Sequence, residues 1–346
     1  MATIQEVASA AGVSVGTVSR YLNGYQLKPA NEERIERAIA ALDYHPNSLA
    51  RSLRRQRSCT VGLLVNNMLN HFATSVVASI EREMELHDYT IMLSGFRNDH
   101  HVFAEKLRLL LDRQIDGLIV FETDEGWDEL RLLDEVQIPL VFVGSPVRCP
   151  RADQVLVNDQ PSAERVMAEM IACGHDRPGI ICGPQREHVA RERLNGCLAA
   201  IDAAGLPRRQ ATVIEGGYSR QCGYEAMNAL LVAGVDAVFC CNYGTGQGAL
   251  QAVSERGLRV GEDLSYASFD YFDLSPLFYP RITTICPPSQ KIGTYAARHV
   301  LELIDHETLG TGRRETFADQ ILWQPSIIGL DRSLWGTAES LDVRDA

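Results

Sequence analysis

Side chains able to do chemistry concentrate in three stretches. In the first, Thr17, Ser19 and Arg20 follow Val15 and Gly16 on one side of a short helical run. Hydroxyls and a guanidinium on one outward face can hydrogen-bond to phosphates or to base edges. In the second, HPNSLARSLRRQRS (45–58), Arg51, Arg54, Arg55 and Arg57 stand without an acid. In the third, AVFCCNYGTGQGALQAV, an apolar run enters Gly244-x-Gly246-x-x-Ala249 and opens a helix, which fits a relaxed dinucleotide fingerprint. That string sits late in its half of the chain, and two residues separate strand from glycine. Its ribose-binding acid is ambiguous between Asp263 and Asp270, so an NAD(P)-dependent oxidoreductase stays the rival reading. A hydrolase has less support, with no HExxH or P-loop string. His100-His101 opens a charged helix and reads as solvated surface. Nine cysteines, an odd number without CxxC spacing, imply reduced thiols, with no disulfide framework, metal site or cofactor.

The elements that must position the first stretch are legible. Thr3 and Glu6 form a capping box before Ile4, Val7, Ala8 and Ala11 at helical spacing. Gly12 suits a left-handed stop, and Ser14 caps a second helix, Val15 to Leu22, which Asn23-Gly24 closes. Two short helices joined through a Gly-containing turn make a helix-turn-helix, whose second helix enters a DNA major groove. Pro29 opens a third helix with Ile35, Ala38, Ile39 and Leu42 as its buried stripe.

From Cys59 the chain alternates strand-like runs with helical stretches. The runs are 60–65, 90–96, 117–122, 140–145 and 155–159, then 178–183, 211–217, 237–242 and 264–270. Helices are expected near 72–87, 101–114, 127–136, 161–173, 189–204, 221–233 and 246–256. Such alternation means parallel sheets covered on both faces, here as two doubly wound α/β subdomains meeting near residue 160. Ligands in such folds bind beyond the carboxyl ends of the strands. The net charge of −12 is unevenly spread: residues 1–57 hold eight Lys/Arg and five Asp/Glu, the rest 25 and 40. A basic head on an acidic body directs phosphate attraction to one end. No run of 18 apolar residues and no secretory signal is read, so a cytoplasmic location without membrane contact is expected. Leu334 and Leu341 are seven apart, but the tail is too short for a coiled coil, so a zipper tetramer is not expected.

TIQEVASAAGVSVGTVSRYLNG, then DYHPNSLARSLRRQRSCTVGLLV, resembles the lactose-repressor (LacI/GalR) family. Later stretches CGHDRPGIICGP, ARERLNG, GLRVGEDLSYASFD and PRITTI are similar to that family's own signposts. The resemblance implies an α/β fold: a three-helix head, a hinge helix, and a core like periplasmic sugar-binding proteins. The implied boundaries are 1–45 for the head and 46–58 for the hinge. The core follows as 59–158 with 287–318, then 159–286 with 319–333, and 334–346 as tail. A helix near 290–305 and the run 321–330 are exchanged between the subdomains.

For function, the resemblance implies a homodimeric DNA-binding transcriptional regulator, not an enzyme. It would act as a repressor on a pseudopalindromic double-stranded operator and answer to a small-molecule effector, a sugar or derivative. DNA contact falls to Val15, Gly16, Thr17, Ser19, Arg20 and Asn23, with Leu53 as the hinge wedge in the minor groove and Arg54 beside it. Effector contact falls to Phe72, Phe121, Arg193, Tyr218, Asn242 and Asp270. Arg193 and Asp270 would equally suit a structural ion pair at a subdomain junction. Three departures from the family pattern stand out: Lys28 replaces a Ser cap, the acid after the fifth strand is displaced to Asp159, and Tyr243 replaces an acid. A sugar-binding protein without a DNA role is the second rival.

Overall fold

The computed structural model describes residues 2–22, 25–44, 57–68, 71–123, 126–270 and 279–335. Contacts divide the chain into two units, Met1–Cys59 and Thr60–Ala346. Asn23, Leu53, Arg54, most of the expected hinge and the tail beyond 335 lie outside the described residues.

In the first unit, α1 (Ile4–Ala11), α2 (Val15–Leu22) and α3 (Pro29–Leu42) enclose a core of Val7, Ala8, Ala11, Val18, Ile35, Ala38 and Tyr44. The Thr3–Glu6 capping box is complete, and Gly12 ends α1 in the left-handed region at φ 63°. Ser14 Oγ accepts from Thr17 N–H at 3.1 Å and starts α2. Lys28 gives α3 no side-chain cap. Glu32 reaches back to Leu27 N–H at 2.9 Å instead, and Glu36 accepts from the Tyr21 hydroxyl at 2.8 Å.

The second unit holds two six-stranded sheets. The first contains β1 (Thr60–Val65), β2 (Thr90–Gly95), β3 (Gly117–Phe121), β4 (Leu140–Val143), β5 (Ala152–Val157) and β11 (Arg314–Phe317), ordered β11-β5-β4-β3-β1-β2 and wholly parallel. The second contains β6 (Pro178–Cys182), β7 (Thr212–Glu215), β8 (Ala237–Cys240), β9 (Ser265–Phe269), β10 (Thr283–Cys286) and β12 (Gln320–Leu322), ordered β12-β10-β9-β8-β6-β7, with only β12 antiparallel.

Period-two alternation sends each strand's side chains into two cores. On the first sheet Leu63, Ile119, Phe121 and Val141 face α4 (His71–Leu86), while Leu64, Leu118, Val120 and Phe142 face α5 (His100–Asp112). On the second sheet Ile180, Phe239 and Cys241 face α6 (Asp159–Ala172) and α7 (His188–Ala203). Ile181, Val238, Cys240 and Tyr266 face α8 (Arg220–Ala233) and α9 (Tyr243–Glu255). Cys240 and Cys241 therefore point into opposite cores as free buried thiols. Each such side chain, fully buried, contributes about 1.5–3 kcal/mol of transfer free energy.

The chain crosses between subdomains near 158, 287 and 318. α10 (Ser289–Asp305) packs its Ile292, Ala296 and Val300 into the first subdomain, whereas Trp323, Ile327 and Leu330 pack into the second. The helix expected at 127–136 is a 3₁₀ segment, Asp128–Glu135. Trp127, Leu130, Leu133 and Val136 recur every three residues, and a three-residue turn brings all four onto one apolar face. Strands β10, β11 and β12 are additions to the sequence reading.

Candidate functional site

Helix α2 presents a graded surface. Val18 is buried, Val15 is half-buried against the head core, Gly16 and Arg20 are exposed, and Thr17 and Ser19 lie between. The Thr17 hydroxyl pairs with Ser14 Oγ at 2.8 Å, so it braces the turn as well as facing outward. The Arg20 guanidinium rests 5.6 Å from the Tyr25 ring centroid. GVSVG (12–16) matches the GxSxG spelling of a hydrolase nucleophile. Ser14 is nonetheless a helix cap between two helices, not the tip of a strand-to-helix elbow.

In the second unit a polar group gathers at the carboxyl ends of the strands. Arg193, on α7, is buried and donates from Nε to Asp159 Oδ1 and from Nη1 to Cys241 O, both at 2.7 Å. Asp270 Oδ2 stands 3.9 Å from Nη1, and the guanidinium lies 3.8 Å from the Phe269 ring centroid. Burial works to discharge Arg193, but Asp159 and Asp270 more than offset it and hold the guanidinium charged. The nearest acid to Arg193 is thus Asp159, the displaced acid of the sequence, rather than Asp270. Asp270 follows β9 at φ 66° and accepts from Tyr243 N–H through Oδ2 at 3.3 Å; its Oδ1 is buried without a partner.

Asn242 has a second duty, because its Oδ1 caps α9 through Gly244 N–H at 2.8 Å and Thr245 N–H at 3.3 Å. Tyr218 donates to Glu187 Oε2 at 2.6 Å and lies so close to Gly183 that a Cβ there would sit 2.3 Å from its ring. Phe72 and Phe121 are packed in the first subdomain's core with Val65, Val76 and Ile80, and Phe121 has no exposed surface. The structure therefore gathers Arg193, Asp270 and Asn242 with new members, and keeps the two phenylalanines as core.

The new members come from both subdomains. Glu122, after β3, is pushed up to about 7, first by burial and then by Asp270, Glu187 and Asp159 against the opposing Arg193. Asp319, on the last crossover, is driven well above the ordinary carboxylate range by burial and by Asp159. Asn98 of the first subdomain donates to Glu187 Oε1 of the second at 2.8 Å, and His71 stacks on Tyr243 at 5.7 Å. Of these only Tyr243 carried a sequence signal, as a departure; a lone acid after an apolar run, as at Glu122, is too common to stand out.

The dinucleotide reading fails on geometry. The α9 amides that would cradle a pyrophosphate are occupied: Tyr243 by Asp270, Gly244 and Thr245 by the Asn242 side chain, Gly246 by Asn242 O. The glycines serve packing instead, since a Cβ at Gly244 would lie 2.1 Å from Tyr218 O, and one at Gly248 would lie 1.8 Å from Arg220 O. His100 Nδ1 lies 2.6 Å from Glu129 Oε1, with His101 at 3.7 Å, so the surface histidines share an acid from the 3₁₀ segment. A pocket of about 660 Å³ over α10 and β11 is lined by residues including Lys291, Tyr295, Arg298 and Arg313. None of its lining residues holds an unpartnered buried polar atom, whereas the strand-end group does. No described helix is long and apolar enough to cross a membrane.

Comparison with known proteins matches residues 3–47 to the family model "Bacterial regulatory proteins, lacI family" and residues 58–318 to "Periplasmic binding proteins and sugar binding domain of LacI family". A curated relative, the HTH-type transcriptional repressor PurR of Haemophilus influenzae (strain PittEE), is 33% identical, covering 90% of this chain and 93% of its own. The ribose operon repressor of Haemophilus influenzae (strain ATCC 51907 / DSM 11121 / KW20 / Rd) is 30% identical over 88% and 92%. Among solved structures, the lac repressor dimer bound to operator and the anti-inducer ONPF superposes with a TM-score of 0.82 at 24% identity, covering 94% of this chain and 99% of that one. The transcriptional regulator CelR–cellobiose complex does so at 0.69 and 28% identity, over 94% and 100%.

Proposed function

This chain belongs to the lacI family of bacterial regulatory proteins, and from that premise we propose an effector-controlled transcriptional repressor that acts as a homodimer in the cytoplasm. Its relatives are DNA-binding repressors, not enzymes. In this reading α2 enters the major groove. Val15, Gly16 and Arg20 read bases, while Thr17 and Ser19 contact or support the backbone. Asn23, Leu53 and Arg54 complete the DNA set by family resemblance. Two heads take the half-sites of a pseudopalindromic operator.

The effector, a sugar or derivative, binds where the strand ends of the two subdomains face each other. Arg193, Asp270 and Asn242 take its polar groups, Tyr218 forms a wall, and Phe72 and Phe121 back the site from the first subdomain's core. The working parts are 1–45, 46–58, the two core subdomains divided as 59–158 with 287–318 and 159–286 with 319–333, and the tail. A ligand that favours one relation of the subdomains changes operator affinity by its differential affinity for the two states. An inducer favours the state with separated hinges; a corepressor favours the other.

The observation that carries this reading is the buried Arg193–Asp159–Asp270 cluster at the strand ends, with Asp270 Oδ1 still unpartnered. Asp270→Asn is the test, because Asn tolerates the left-handed backbone that Asp270 occupies. We expect it to abolish the thermal shift produced by the effector and the effector's influence on operator binding. Affinity for an operator selected from a randomised duplex library should remain. An undiminished ligand response would move the effector site elsewhere.

A further inference from the structure

The strand-end group has a surplus of acid. Asp159, Asp270, Asp319, Glu122 and Glu187 surround the single guanidinium of Arg193. Asp159 already takes Arg193 Nε at 2.7 Å, and Glu187 is engaged by Asn98 and Tyr218. Three buried carboxylate oxygens remain without a partner among the described residues: Asp270 Oδ1 and both oxygens of Asp319. Ser162, beside Asp319, gives its hydroxyl to Asn158 O at 3.1 Å. Asn66 Oδ1 and Thr123 Oγ1, at the carboxyl ends of β1 and β3, are also buried and unpartnered. Asp270 is 3% exposed and Thr123 2%, so water does not replace the missing partners freely.

Arg193 and His71 both favour ionised Asp270, yet among the described residues donors and positive charge remain fewer than the acids that face them. An anionic ligand would bring more of what is already in excess, and a neutral polyol would supply donors without charge. Building on the effector reading above, we infer that the effector carries a protonated amine on a hydroxyl-rich body, as an amino sugar does, and that Asp270 and Asp319 receive the ammonium. A primary ammonium offers three N–H donors, which equals the number of unpartnered carboxylate oxygens. The hydroxyls of the ligand's body would meet Asn66 and Thr123. In the free protein protons relieve the surplus instead, since burial lifts Glu122 to about 7 and Asp319 above the ordinary range. The ammonium takes the place of such protons, so binding releases them.

Isothermal titration calorimetry on the full chain tests this. The probes are matched sets of hexose, hexosamine, N-acetylhexosamine and hexose phosphate, with a linear diamine to separate the sugar body from the charge. We expect one hexosamine to bind about tenfold or more tighter than its parent hexose and its acetylated form. Proton release should appear as a buffer-dependent heat. Asp319→Asn, and independently Glu122→Gln, should shrink that preference in protein whose unfolding transition stays cooperative. An equally tight parent hexose, a bound phosphate, a preference untouched in both variants, or no amine bound at millimolar concentration overturns the ammonium assignment. A neutral hexose whose binding is lost in Asp270→Asn would leave the effector site standing and remove only the charge; binding that persists in Asp270→Asn would remove both.

Discussion

The head and the strand-end group both satisfy polar groups, but over opposite distances along the chain. In the head the Thr3–Glu6 and Ser14–Thr17 bonds span three residues, Leu27–Glu32 five, and Tyr21–Glu36 fifteen. Around Arg193 the bonds to Asp159 and Cys241 span 34 and 48 residues, and Asn98–Glu187 spans 89. The head's bonds are mostly exposed, where each is worth about 1 kcal/mol or less. The Arg193 bonds are buried, where loss of one partner strands a charge. Local caps set where helices start and stop and fail singly. The buried group exists only once both sheets are assembled, and its members fail together.

The largest expected effect breaks the long-range side of that contrast. Arg193→Met keeps much of the volume and removes the guanidinium that Asp159 and Asp270 share. We expect a loss of about 3–5 kcal/mol in core stability. Trp127, Trp323 and Trp335 all lie outside the head, so tryptophan fluorescence in a urea titration reports the core alone. A loss below about 1 kcal/mol would mean that the carboxyls discharge themselves cheaply and the group is not a coupled unit.

Next comes a dependence on pH. Burial raises Glu122 from 4.5 to about 7, so its protonated form is favoured in the folded chain. Its stabilising contribution is complete below 4.5 and disappears as pH rises through about 7. Asp270 and Asp319 are raised as well and act in the same direction. Core stability should therefore fall between pH 5 and 8, by on the order of 2 kcal/mol from Glu122. Glu122→Gln should flatten the slope, as measured by urea midpoints across that range; an unchanged slope would assign it to other groups.

The same contrast explains what the sequence could reveal. The capping box, the Gly12 stop and the Val7–Val18–Ile35 core rest on spacings of a few residues, and all were legible. The apolar runs that became β1, β3, β4, β6 and β8 were legible because burial on both faces writes itself as unbroken hydrophobicity. Arg193 and Asp270 were legible only through family resemblance. That Asp159 is the closer partner of Arg193, that Glu122 and Asp319 join the group, and that Asn242 spends its Oδ1 on a cap all depend on folded distances. Strands β10, β11 and β12 were missed because none presents an apolar run: β11 and β12 are short and half-exposed, and β10 is buried but is only four residues long and opens with two threonines.

On the head's side, Thr3→Ala removes the hydroxyl of the capping box and should cost about 1 kcal/mol. The measurement is thermal unfolding of the full chain followed by far-ultraviolet circular dichroism. The tryptophan transition of the core should stay in place. If it moved by as much as the helical signal, the caps would not be local in effect and the contrast would fail.

The smallest effect sharpens the contrast furthest, because it separates stability from recognition at one exposed position. Gly16 lies in the first turn of α2, and a Cβ there would meet only Ser14 Oγ, at an ordinary 3.7 Å. Alanine loses less backbone freedom than glycine on entering a helix, so Gly16→Ala should stabilise the head, by less than about 1 kcal/mol. If Gly16 faces bases, the added methyl also fills the space through which a base edge approaches. Selection of operators from a randomised library should then return a different preferred half-site for Gly16→Ala, although its head melts at a higher temperature. An unchanged half-site would leave Gly16 as a spacer and shift base reading towards Val15 and Arg20. A lower melting temperature would mean instead that the turn after Ser14 requires glycine for its backbone, contrary to the open space around it.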